Sequence, residues 1–482
     1  MCGIVGVTNS FEAPLITYYA LHALQHRGQE ATGIVSRKED ANGKMIFSII
    51  KGEGLVSEVF SDFDEWGKVL NGNACIGHNR YSTSGEGSRK NIQPFLVNYH
   101  MGHLAVAHNG NLSNASVLRE RMSKEGAIFQ TTSDTEVILH LIAKSEFDEQ
   151  QKQIIDALSQ IDGAFSVVIL TDTMLAGARD PFGFRPLCIG KKNGSYIITS
   201  ESCALDINYA EYIRDVNPGE LVIIPDGAKS SDEIISIEYS KPKPKLRQCI
   251  FEYIYFTRPD SKIFGHNVDK MRRRLGKVLA RKHPVIEPDG GKVTVISVPD
   301  SSNTTALGYK NELVKMGIEA KYELGLIRSH YIGRTFISPG QQSREIGVRI
   351  KFNTVKGVLE NRTVVVVDDS IVRGTTSFQL INLIREAKPK SIHLRISSPP
   401  ILYPCYYGMD FPSREELIAH RLNGDIEAIR KYVGVDSLEY LTIPELITIL
   451  EDDIADNYCT TCFSGVYPTT IDTNFTKDIY EF

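Results

Sequence analysis

A run of four valines that ends in two aspartates constrains the fold of this chain more than any other stretch. Residues 363–368 read Thr-Val-Val-Val-Val-Asp, and Asp369 follows directly. The run is too short for a buried helix and no polar residue interrupts it, so it predicts a strand covered on both faces, as in a parallel sheet. Residues 378–385 continue with helical apolar spacing, and one of the hydroxyl residues at 375–377 could cap that helix.

The loop between this strand and this helix is suited to hold a sugar phosphate. Free backbone N–H groups and the positive end of a helix dipole attract phosphate. Asp368 and Asp369 lie where they can accept hydrogen bonds from ribose hydroxyls. The alternative is a doubly wound sheet with a polar turn that binds nothing. We favour the phosphate site, because a buried strand rarely ends in two adjacent unpaired carboxylates.

The same stretch resembles the phosphoribosyl pyrophosphate (PRPP) fingerprint of type I phosphoribosyltransferases, which consists of a hydrophobic strand, two acidic residues and a Gly-Thr-Thr loop. The resemblance implies that Asp368 and Asp369 hold the ribose of PRPP and, with Ser301, a Mg²⁺ ion. It also implies that the residues of the loop hold the 5-phosphate: Ser370, Arg373, Gly374, Thr375, Thr376 and Ser377.

The length and charge of the chain bound its class. With 482 residues it is long enough for more than one domain. The formal net charge of −5 argues against nucleic acid as a partner. No apolar run approaches the length of a membrane span, and the N-terminus lacks the basic-then-apolar pattern of a signal peptide. We therefore expect a cytoplasmic protein without a membrane partner.

The polar segment at residues 229–245 is the best candidate linker, because its Lys-Pro-Lys-Pro-Lys end favours an extended chain. Upstream of it, residues 160–235 alternate short apolar runs with Gly, Pro and Asp turns, which predicts two packed sheets covered by helices. We expect one domain at residues 1–235 and a second at residues 236–482.

Cys2 follows the initiator Met1 directly and precedes a short strand-like run. Aminopeptidases remove Met1 when the next residue is small, and Cys2 would then carry both a thiol and a free α-amine. These groups have ordinary pKa values of about 8.5 and about 8, so the amine can accept the thiol proton near neutral pH. Cys2 would thus be a nucleophile that supplies its own general base. The alternative is an incidental cysteine at a permissive position.

Three further polar motifs follow in this half. The segment Gly-His-Asn-Arg80 predicts a polar turn after an apolar stretch, and Asn109-Gly110 predicts a tight turn at a strand end. Asp134 lies where an amphipathic helix opens. Taken singly, Arg80 and Asp134 could be a surface ion pair, and Asn109-Gly110 an ordinary hairpin turn.

Together with Cys2, these motifs resemble the class II glutamine amidotransferase domain of the N-terminal-nucleophile hydrolases, over about the first 230 residues. The resemblance implies that Cys2 attacks the side-chain amide of glutamine and forms a glutamyl thioester. It implies that Arg80 binds the α-carboxylate and Asp134 the α-ammonium group, and that Asn109 and the Gly110 N–H form the oxyanion hole. The expected fold class is α/β and α+β, with an αββα sandwich followed by the parallel sheet of a type I phosphoribosyltransferase.

Two more stretches suit polyphosphate binding. Residues 293–298 predict a second buried strand that delivers a polar turn with Ser301 to a helix start, and the type I resemblance implies that this turn holds pyrophosphate. Residues 325–353 have little periodicity and several cations, among them Arg334 and Lys351. We expect a lid that closes over PRPP and excludes water, the alternative being a solvated loop.

The cysteines other than Cys2 form two groups. The first lies among apolar or small residues and is expected to pack in a core: Cys75, Cys188 and Cys203. The spacing of the second group leaves open a structural zinc site or buried free thiols: Cys249, Cys405, Cys459 and Cys462.

The second group matches the ligand positions of the glutamine PRPP amidotransferases that carry a [4Fe-4S] cluster, and the whole chain resembles this subgroup. The resemblance implies a [4Fe-4S] cluster on those four cysteines, beside Mg²⁺ as a cofactor. Members of the subgroup commonly carry a short propeptide before the catalytic cysteine, whereas only Met1 precedes Cys2 here. Removal of Met1 would be sufficient to free it.

For the whole chain the resemblance implies an enzyme that converts glutamine, PRPP and water to 5-phosphoribosylamine, pyrophosphate and glutamate, the first step of de novo purine biosynthesis. Ammonia would pass between the two sites. The resemblance also implies inhibition by purine nucleotides and a homo-oligomer, namely a tetramer. Two alternatives explain half of the chain each. A PRPP-dependent salvage phosphoribosyltransferase leaves Cys2 unexplained, and a glutamine-dependent sugar-phosphate aminating synthase does not need the Asp368-Asp369 loop.

Overall fold

The structure is a computed structural model that describes residues 1–81, 89–240, 244–288, 290–329, 349–411, 413–450 and 455–471. We call residues 1–240 the N-terminal unit and residues 244–471 the C-terminal unit. Two large sheets form in the former and a parallel sheet forms in the latter. No helix of the described residues is long and apolar enough to cross a membrane.

The N-terminal unit is built on two antiparallel sheets. Its strands are β1 (Gly3–Thr8), β2 (Ala31–Glu39), β3 (Met45–Glu53), β4 (Ala74–Arg80), β5 (Phe95–Tyr99), β6 (Gly102–Leu112), β7 (Gly163–Thr171), β8 (Met174–Arg179), β9 (Cys188–Lys192), β10 (Ser195–Thr199), β11 (Glu211–Asp215), β12 (Glu220–Pro225) and β13 (Ile235–Glu238). The first sheet has the order β11-β9-β10-β1-β4-β2-β3, and the second has the order β13-β12-β8-β7-β6-β5. The predicted boundary at 235/236 stays a prediction, although β13 extends the second sheet to Glu238.

Helices cover the outer faces of both sheets. They are α1 (Ala13–Ala23), α2 (Val56–Val59), α3 (Phe63–Val69), α4 (Ala115–Lys124), α5 (Thr135–Lys144), α6 (Gln150–Gln160) and α7 (Cys203–Asp206). Apolar residues of α1 pack on the first sheet in one core, where Cys75, Cys188 and Cys203 are buried as predicted. Apolar residues of α4, α5 and α6 pack on the second sheet in another core.

A third core lies where the two sheets face each other. Small residues allow the sheets to approach, and Gly6 of β1 is the clearest case. A Cβ at Gly6 would lie 2.5 Å from a methyl group of Val168 and 2.8 Å from one of Leu175, so a larger residue would separate the sheets. The predicted αββα sandwich is confirmed.

The C-terminal unit is built on a parallel sheet. Its strands are β14 (Gln248–Cys249), β15 (Lys262–Ile263), β16 (His266–Asn267), β17 (Val293–Ser297), β18 (Ala320–Tyr322), β19 (Leu326–Arg328), β20 (Phe352–Thr354), β21 (Thr363–Asp368), β22 (Ser391–Ile396), β23 (Ser437–Tyr440) and β24 (Tyr458–Cys459). Its helices are α8 (Val268–Lys282), α9 (Asn303–Lys315), α10 (Lys356–Leu359), α11 (Thr375–Arg385), α12 (Ile418–Arg421), α13 (Ile426–Val433), α14 (Ile443–Ile447) and α15 (Thr461–Ser464). The main sheet has the order β18-β17-β21-β22-β23, and every pair in it is parallel.

The valine run forms β21 at the centre of this sheet, and all of its residues are buried. Val365 and Val367 face the core that contains α8 and α9. Val364 and Val366 face the opposite core, which contains α11 and α13. The prediction of a strand covered on both faces is therefore confirmed.

The structure contradicts three local predictions. Asn109 and Gly110 do not form a tight turn, because β6 continues through them to Leu112 and pairs there with β7. Arg80 is not in a turn either, since it is the last residue of β4. Helix α11 is not capped by a hydroxyl side chain; Gly374, whose φ of 81° is left-handed, is its N-cap.

Candidate active sites

Cys2 lies at the start of β1, in the middle of the first sheet, and is only 8% exposed. Its Sγ lies 3.6 Å from the carbonyl oxygen of Tyr81, and its backbone N–H donates to Asn109 Oδ1 at 3.0 Å. Met1 is still attached, so this nitrogen is a peptide nitrogen that stands in for the α-amine of a processed chain. Burial raises the pKa of the Cys2 thiol, while the charge of Arg80 opposes the rise.

The other end of the Asn109 side chain is the strongest sign of a binding site. Asn109 is fully buried, and its Nδ2 has no hydrogen-bond partner among the described residues. A buried donor without a partner is unfavourable unless a ligand supplies the acceptor. Asn109 thus contacts Cys2 through its oxygen, and its Nδ2 is left as a donor beside Cys2; its part in an oxyanion hole stays a prediction.

Only glycine fits beside Asn109. A Cβ at Gly110, whose φ is 150°, would collide with the carbonyl group of Ala164 on β7. Gly408 of the C-terminal unit also approaches this backbone, and a Cβ on Gly408 would lie 3.0 Å from the carbonyl carbon of Gly110. The backbone of β6 at Gly110 is therefore approached closely by β7 and by the loop that carries Gly408.

Asp134 is held against the same strand. It precedes α5, and its Oδ2 accepts the N–H of Leu112 at 3.0 Å, while His108 Nδ1 lies 3.7 Å from its Oδ1. Burial alone would raise the pKa of this carboxyl, but His108 and the Leu112 N–H hold it below its usual value. Asp134 is therefore an anion at neutral pH, which suits an α-ammonium group.

His78 shares this buried network and carries a pH dependence. Its Nε2 lies 3.2 Å from the carbonyl oxygen of His108. Burial, aided by the charge of Arg80, lowers its pKa from 6.5 to about 3. Because the unfolded chain then binds more protons between these two values, the stability from neutral His78 is complete above pH 6.5 and is lost as the pH falls towards 3.

We expect His78→Gln to weaken the dependence of the free energy of unfolding on pH in the acid range. Between pH 6 and pH 4 the free energy of unfolding of the unaltered chain should fall more steeply, by up to about 1.4 kcal/mol per pH unit. Melting curves across this pH range measure both slopes. Parallel slopes would contradict the prediction, whatever the difference in absolute stability.

Arg27 joins Cys2 to the C-terminal unit. Its Nε donates to the Cys2 carbonyl oxygen at 3.1 Å. Its guanidinium group also pairs with Glu201 of the N-terminal unit and, at 2.9 Å, with Glu252 of the C-terminal unit. All three charged side chains are fully buried. Glu252 opens a π-helical turn, a feature that often marks functional positions.

The second site lies at the carboxyl ends of β17 and β21, as parallel-sheet topology dictates. Ser301 Oγ donates to Asp369 Oδ1 at 2.7 Å, and Ser302 Oγ donates to Asp368 Oδ1 at 3.3 Å. Ser370 Oγ donates to Asp369 Oδ2 at 2.5 Å. The predicted Ser301 and acidic pair therefore converge. Burial raises the pKa of both carboxyls, and the charge of Asp369 raises that of Asp368 further.

Two residues at this site were missed. Ser302 could have been found, since it is the second hydroxyl of the same turn. Arg272 is nearly fully buried on α8, donates to the carbonyl oxygen of Ser301 at 3.3 Å, and its charge acts on Asp369. It lies in a basic stretch of the sequence, so nothing distinguished it from exposed neighbours. Two adjacent carboxyl groups near a buried guanidinium group and several hydroxyls fit a hydroxyl-rich ligand and a divalent cation, either of which would favour their ionised form.

The remaining predicted phosphate residues surround the start of α11. Thr375 and Thr376 are exposed, Ser377 is buried, and no side chain caps the first N–H groups of the helix. Arg373 forms an ion pair with Glu416 at 2.7 Å between half-exposed side chains. The N-terminus of α11 is thus left open to an anion.

The ends of the predicted lid meet, because β19 pairs antiparallel with β20. Ser329, just after β19, donates its N–H to the carbonyl oxygen of Lys351 at 2.8 Å. Arg334 lies outside the described residues.

The four remaining cysteines gather at the edge of the C-terminal unit. Cys249 and Cys459 are opposite each other in the parallel pair β14-β24. The carbonyl oxygen of Cys462 accepts the N–H groups of residues 402 and 403 at 3.0 and 3.1 Å, which draws the segment of Cys405 alongside.

Burial raises the pKa of Cys249 to about 12 and also raises that of Cys459 and Cys462, and the charges of neighbouring thiolates add to each rise. Within the described ranges, no three His, Cys, Asp or Glu side chains converge on a single metal ion. The raised pKa values mean that these side chains are neutral thiols without a metal, and they would have to lose their protons to hold a [4Fe-4S] cluster, whose usual ligands are four cysteine thiolates.

The fold and these two sites define a class II glutamine amidotransferase joined to a type I phosphoribosyltransferase. A family model described as a glutamine amidotransferase domain matches residues 78–206. An amidophosphoribosyltransferase of Vigna aconitifolia is 48% identical, over 97% of this chain and 91% of its own length. That of Bacillus subtilis is 46% identical, over 98% and 94%.

Solved structures agree with these relatives. The B. subtilis glutamine PRPP amidotransferase, complexed with ADP and GMP, superposes with a TM-score of 0.87 at 44% identity, over 98% of this chain and 99% of that one. The chain belongs to the amidophosphoribosyltransferase family. Neither the salvage phosphoribosyltransferase nor the aminating synthase accounts for a match along almost the entire chain.

Proposed function

We propose that the two sites act in sequence, the N-terminal unit releasing ammonia from glutamine and the C-terminal unit using it to displace pyrophosphate from PRPP. The chain is a glutamine amidotransferase and a glycosyltransferase, and its reaction is the first committed step of purine biosynthesis. The observation that carries the assignment of residues is the side chain of Asn109, which contacts Cys2 and keeps a buried donor free among the described residues.

In the first half-reaction the Cys2 thiol passes its proton to the α-amine that removal of Met1 would free, and its sulfur attacks the amide carbon of glutamine. Asn109 Nδ2 and the Gly110 N–H would hold the oxyanion. The C–N bond then breaks, and the leaving nitrogen takes the proton from the α-ammonium group as ammonia. Water hydrolyses the thioester to glutamate, which restores the thiol.

Glutamine itself would be held at its amino-acid end. We assign its α-carboxylate to Arg80, at the end of β4, and its α-ammonium group to Asp134, at the start of α5. β4 pairs with β1, which follows Cys2, and Asp134 is hydrogen-bonded to Leu112 of β6. A glutamine held at both residues can therefore place its amide carbon beside Cys2. One cation and one anion at fixed positions would select a zwitterionic amino acid.

In the second half-reaction Asp368 and Asp369 would hold the ribose hydroxyls while positive charge develops at C1. The start of α11 would hold the 5-phosphate, and the turn with Ser301 would hold the pyrophosphate. Mg²⁺, when bound by Ser301 and the acidic pair, would stabilise the charge of the leaving group. Ammonia is a nucleophile only while it is unprotonated, and in bulk water near neutral pH most of it would be ammonium. Internal passage between the two sites is therefore favoured over release into water.

Ligands and assembly beyond these substrates follow the family resemblance. We propose that purine nucleotides inhibit the enzyme, since the solved B. subtilis relative is complexed with ADP and GMP. A homo-oligomer, namely a tetramer, and a cytoplasmic location remain proposals. Four cysteines, Cys249, Cys405, Cys459 and Cys462, would hold a [4Fe-4S] cluster that ties β14 and β24 to the segment before β23.

The cluster assignment predicts a metal content. Protein purified without air should contain about four irons per chain and no stoichiometric zinc, because four thiolates are the usual ligands of this cluster. Cys459→Ser should lose the iron and its visible absorption. Cys188→Ser, which alters a thiol buried in the core of the N-terminal unit, is the matched control and should keep both. Stoichiometric zinc without iron would reject the assignment.

A further inference from the structure

A buried series of polar contacts runs from the segment of Cys405 to the backbone of Cys2. It starts at Tyr407, whose N–H donates to Cys405 Sγ at 3.4 Å. The carbonyl oxygen of Tyr407 accepts the Nε of Arg185 at 3.0 Å, and Nη2 of the same guanidinium group reaches it as well. The Phe184 ring stacks on the Tyr407 ring with 4.3 Å between centroids, which fixes this segment against the N-terminal unit.

The series continues through two more charged side chains. Arg185 Nη1 lies 3.4 Å from Glu252 Oε1, and Glu252 Oε1 accepts Arg27 Nη2 at 2.9 Å. Arg27 Nε then donates to the Cys2 carbonyl oxygen at 3.1 Å. Arg185, Glu252 and Arg27 are all fully buried. Glu252 therefore lies between two guanidinium groups, one directed at the nucleophile and the other at the cysteine-bearing segment.

The position of Cys2 depends on these contacts more than that of an internal residue would. Once Met1 is removed, no preceding peptide unit holds Cys2. Its orientation is then set by strand β1, by the contact of its nitrogen with Asn109 and by the contact of its carbonyl group with Arg27. A shift of the Cys2 carbonyl group would also displace the Cα bonded to it, and with that atom the Cβ and the sulfur. Displacements of about 1 Å can reduce a rate about 100-fold.

We propose that Arg185 is a positioning residue for the nucleophile, which links the segment of Cys405 to Cys2 through Glu252 and Arg27. The arrangement of that segment then sets how well the Cys2 thiol is directed at its target. The proposal rests on the assignment of Cys2 as nucleophile. Arginine is needed here because its planar fork serves the Tyr407 carbonyl group and Glu252 together, which a lysine ammonium group cannot reproduce.

The test replaces the planar guanidinium group of Arg185 but keeps its positive charge. In Arg185→Lys, alkylation of Cys2 by iodoacetamide should slow about tenfold, and kcat for glutamine hydrolysis should fall by a similar factor. The KM for glutamine should stay within about twofold, because the residues assigned to bind the substrate are untouched. Product formation from PRPP and ammonia should be unchanged, which reports an intact fold.

Arg37→Lys is the matched control. Arg37 is 1% exposed, donates to the Thr171 carbonyl oxygen at 2.6 Å and pairs with Asp226, so it is also a buried arginine that serves a carbonyl group and a carboxylate. It has no contact with the series described above, and its variant should alkylate at the normal rate. A normal rate in Arg185→Lys, or an equal loss of the ammonia-dependent reaction, would overturn the proposal.

Double variants test whether the members act as one unit. Glu252→Gln should slow alkylation by itself, and the pair with Arg185→Lys should be no slower than the slower single variant. Cys405→Ser should likewise slow alkylation in the unaltered background and add little in the Arg185→Lys background. If the reductions in alkylation rate of the single variants multiply in the double variants, the proposed link from Cys405 to Cys2 is wrong. Alkylation reads the thiol directly, so it remains informative even if Cys2 proves not to be the nucleophile, which its alanine variant decides separately.

Discussion

Replacing Cys2 by alanine is expected to abolish product formation from glutamine while leaving product formation from ammonia at its normal rate. Loss of a nucleophile commonly reduces a rate by roughly 10⁴-fold or more. The ammonia-dependent reaction would use the proposed PRPP site of the C-terminal unit, where Asp368 ends β21 and Asp369 follows it, and would not use the Cys2 thiol. Measuring 5-phosphoribosylamine formation with each nitrogen source decides the outcome.

Cys75→Ala is the matched control for this experiment. Cys75 is another buried thiol of the first sheet, and burial in an apolar core raises its pKa above the usual value. Its variant should keep both activities. If Cys2→Ala still forms product from glutamine, the assignment of the nucleophile is wrong. A loss of both activities would instead mean that the substitution disturbs the interface between the units.

Replacing Asp369 by asparagine is expected to reduce the ammonia-dependent reaction by roughly 10²- to 10³-fold, the size of effect seen when one preorganised electrostatic group is removed. Asp369 accepts hydrogen bonds from Ser301 and Ser370 and would face both the ribose and Mg²⁺. Asparagine keeps the shape but loses the charge that stabilises a developing sugar cation. Hydrolysis of glutamine in the absence of PRPP should be unaffected.

The control for this variant is Asp425→Asn. Asp425 caps α13 by accepting the Ala428 N–H at 3.1 Å and is not assigned to PRPP, and asparagine caps helices equally well. Initial rates across a range of PRPP concentrations should separate the two variants. Normal rates in Asp369→Asn would remove the acidic pair from the proposed site.

The sequence predicted the elements whose signal is local and continuous. β21 was predicted correctly because four apolar residues without interruption admit only a buried strand in a parallel sheet. The turn at Asn109-Gly110 was predicted wrongly because that dipeptide is a strong hairpin signal on its own. Its pairing with Ser166 and Phe165 of β7 overrides the local preference, and no local pattern reveals such a pairing.

The contacts around Arg27 could not be predicted for a related reason. Its partners Glu201 and Glu252 lie 174 and 225 residues further along the chain. Neither carboxylate belongs to a periodic pattern, and a glutamate in a sequence is most often exposed. The burial of one positive and two negative side chains becomes visible only when the fold brings these distant segments together. The grouping of Cys249, Cys405, Cys459 and Cys462 came from the family resemblance, since their spacing alone left zinc or free thiols open, and the metal stays a prediction.

The close approach of Gly408 to Gly110 limits how freely this architecture can be recombined. The two glycines let a loop of the C-terminal unit touch the backbone of β6, where the proposed oxyanion hole lies. A chimera that joins this N-terminal unit to a different C-terminal domain would need a glycine at the position of Gly408. It would also need an acidic residue in place of Glu252 to pair with Arg27. The interface between the two units therefore sets requirements of its own, beyond those of either fold alone.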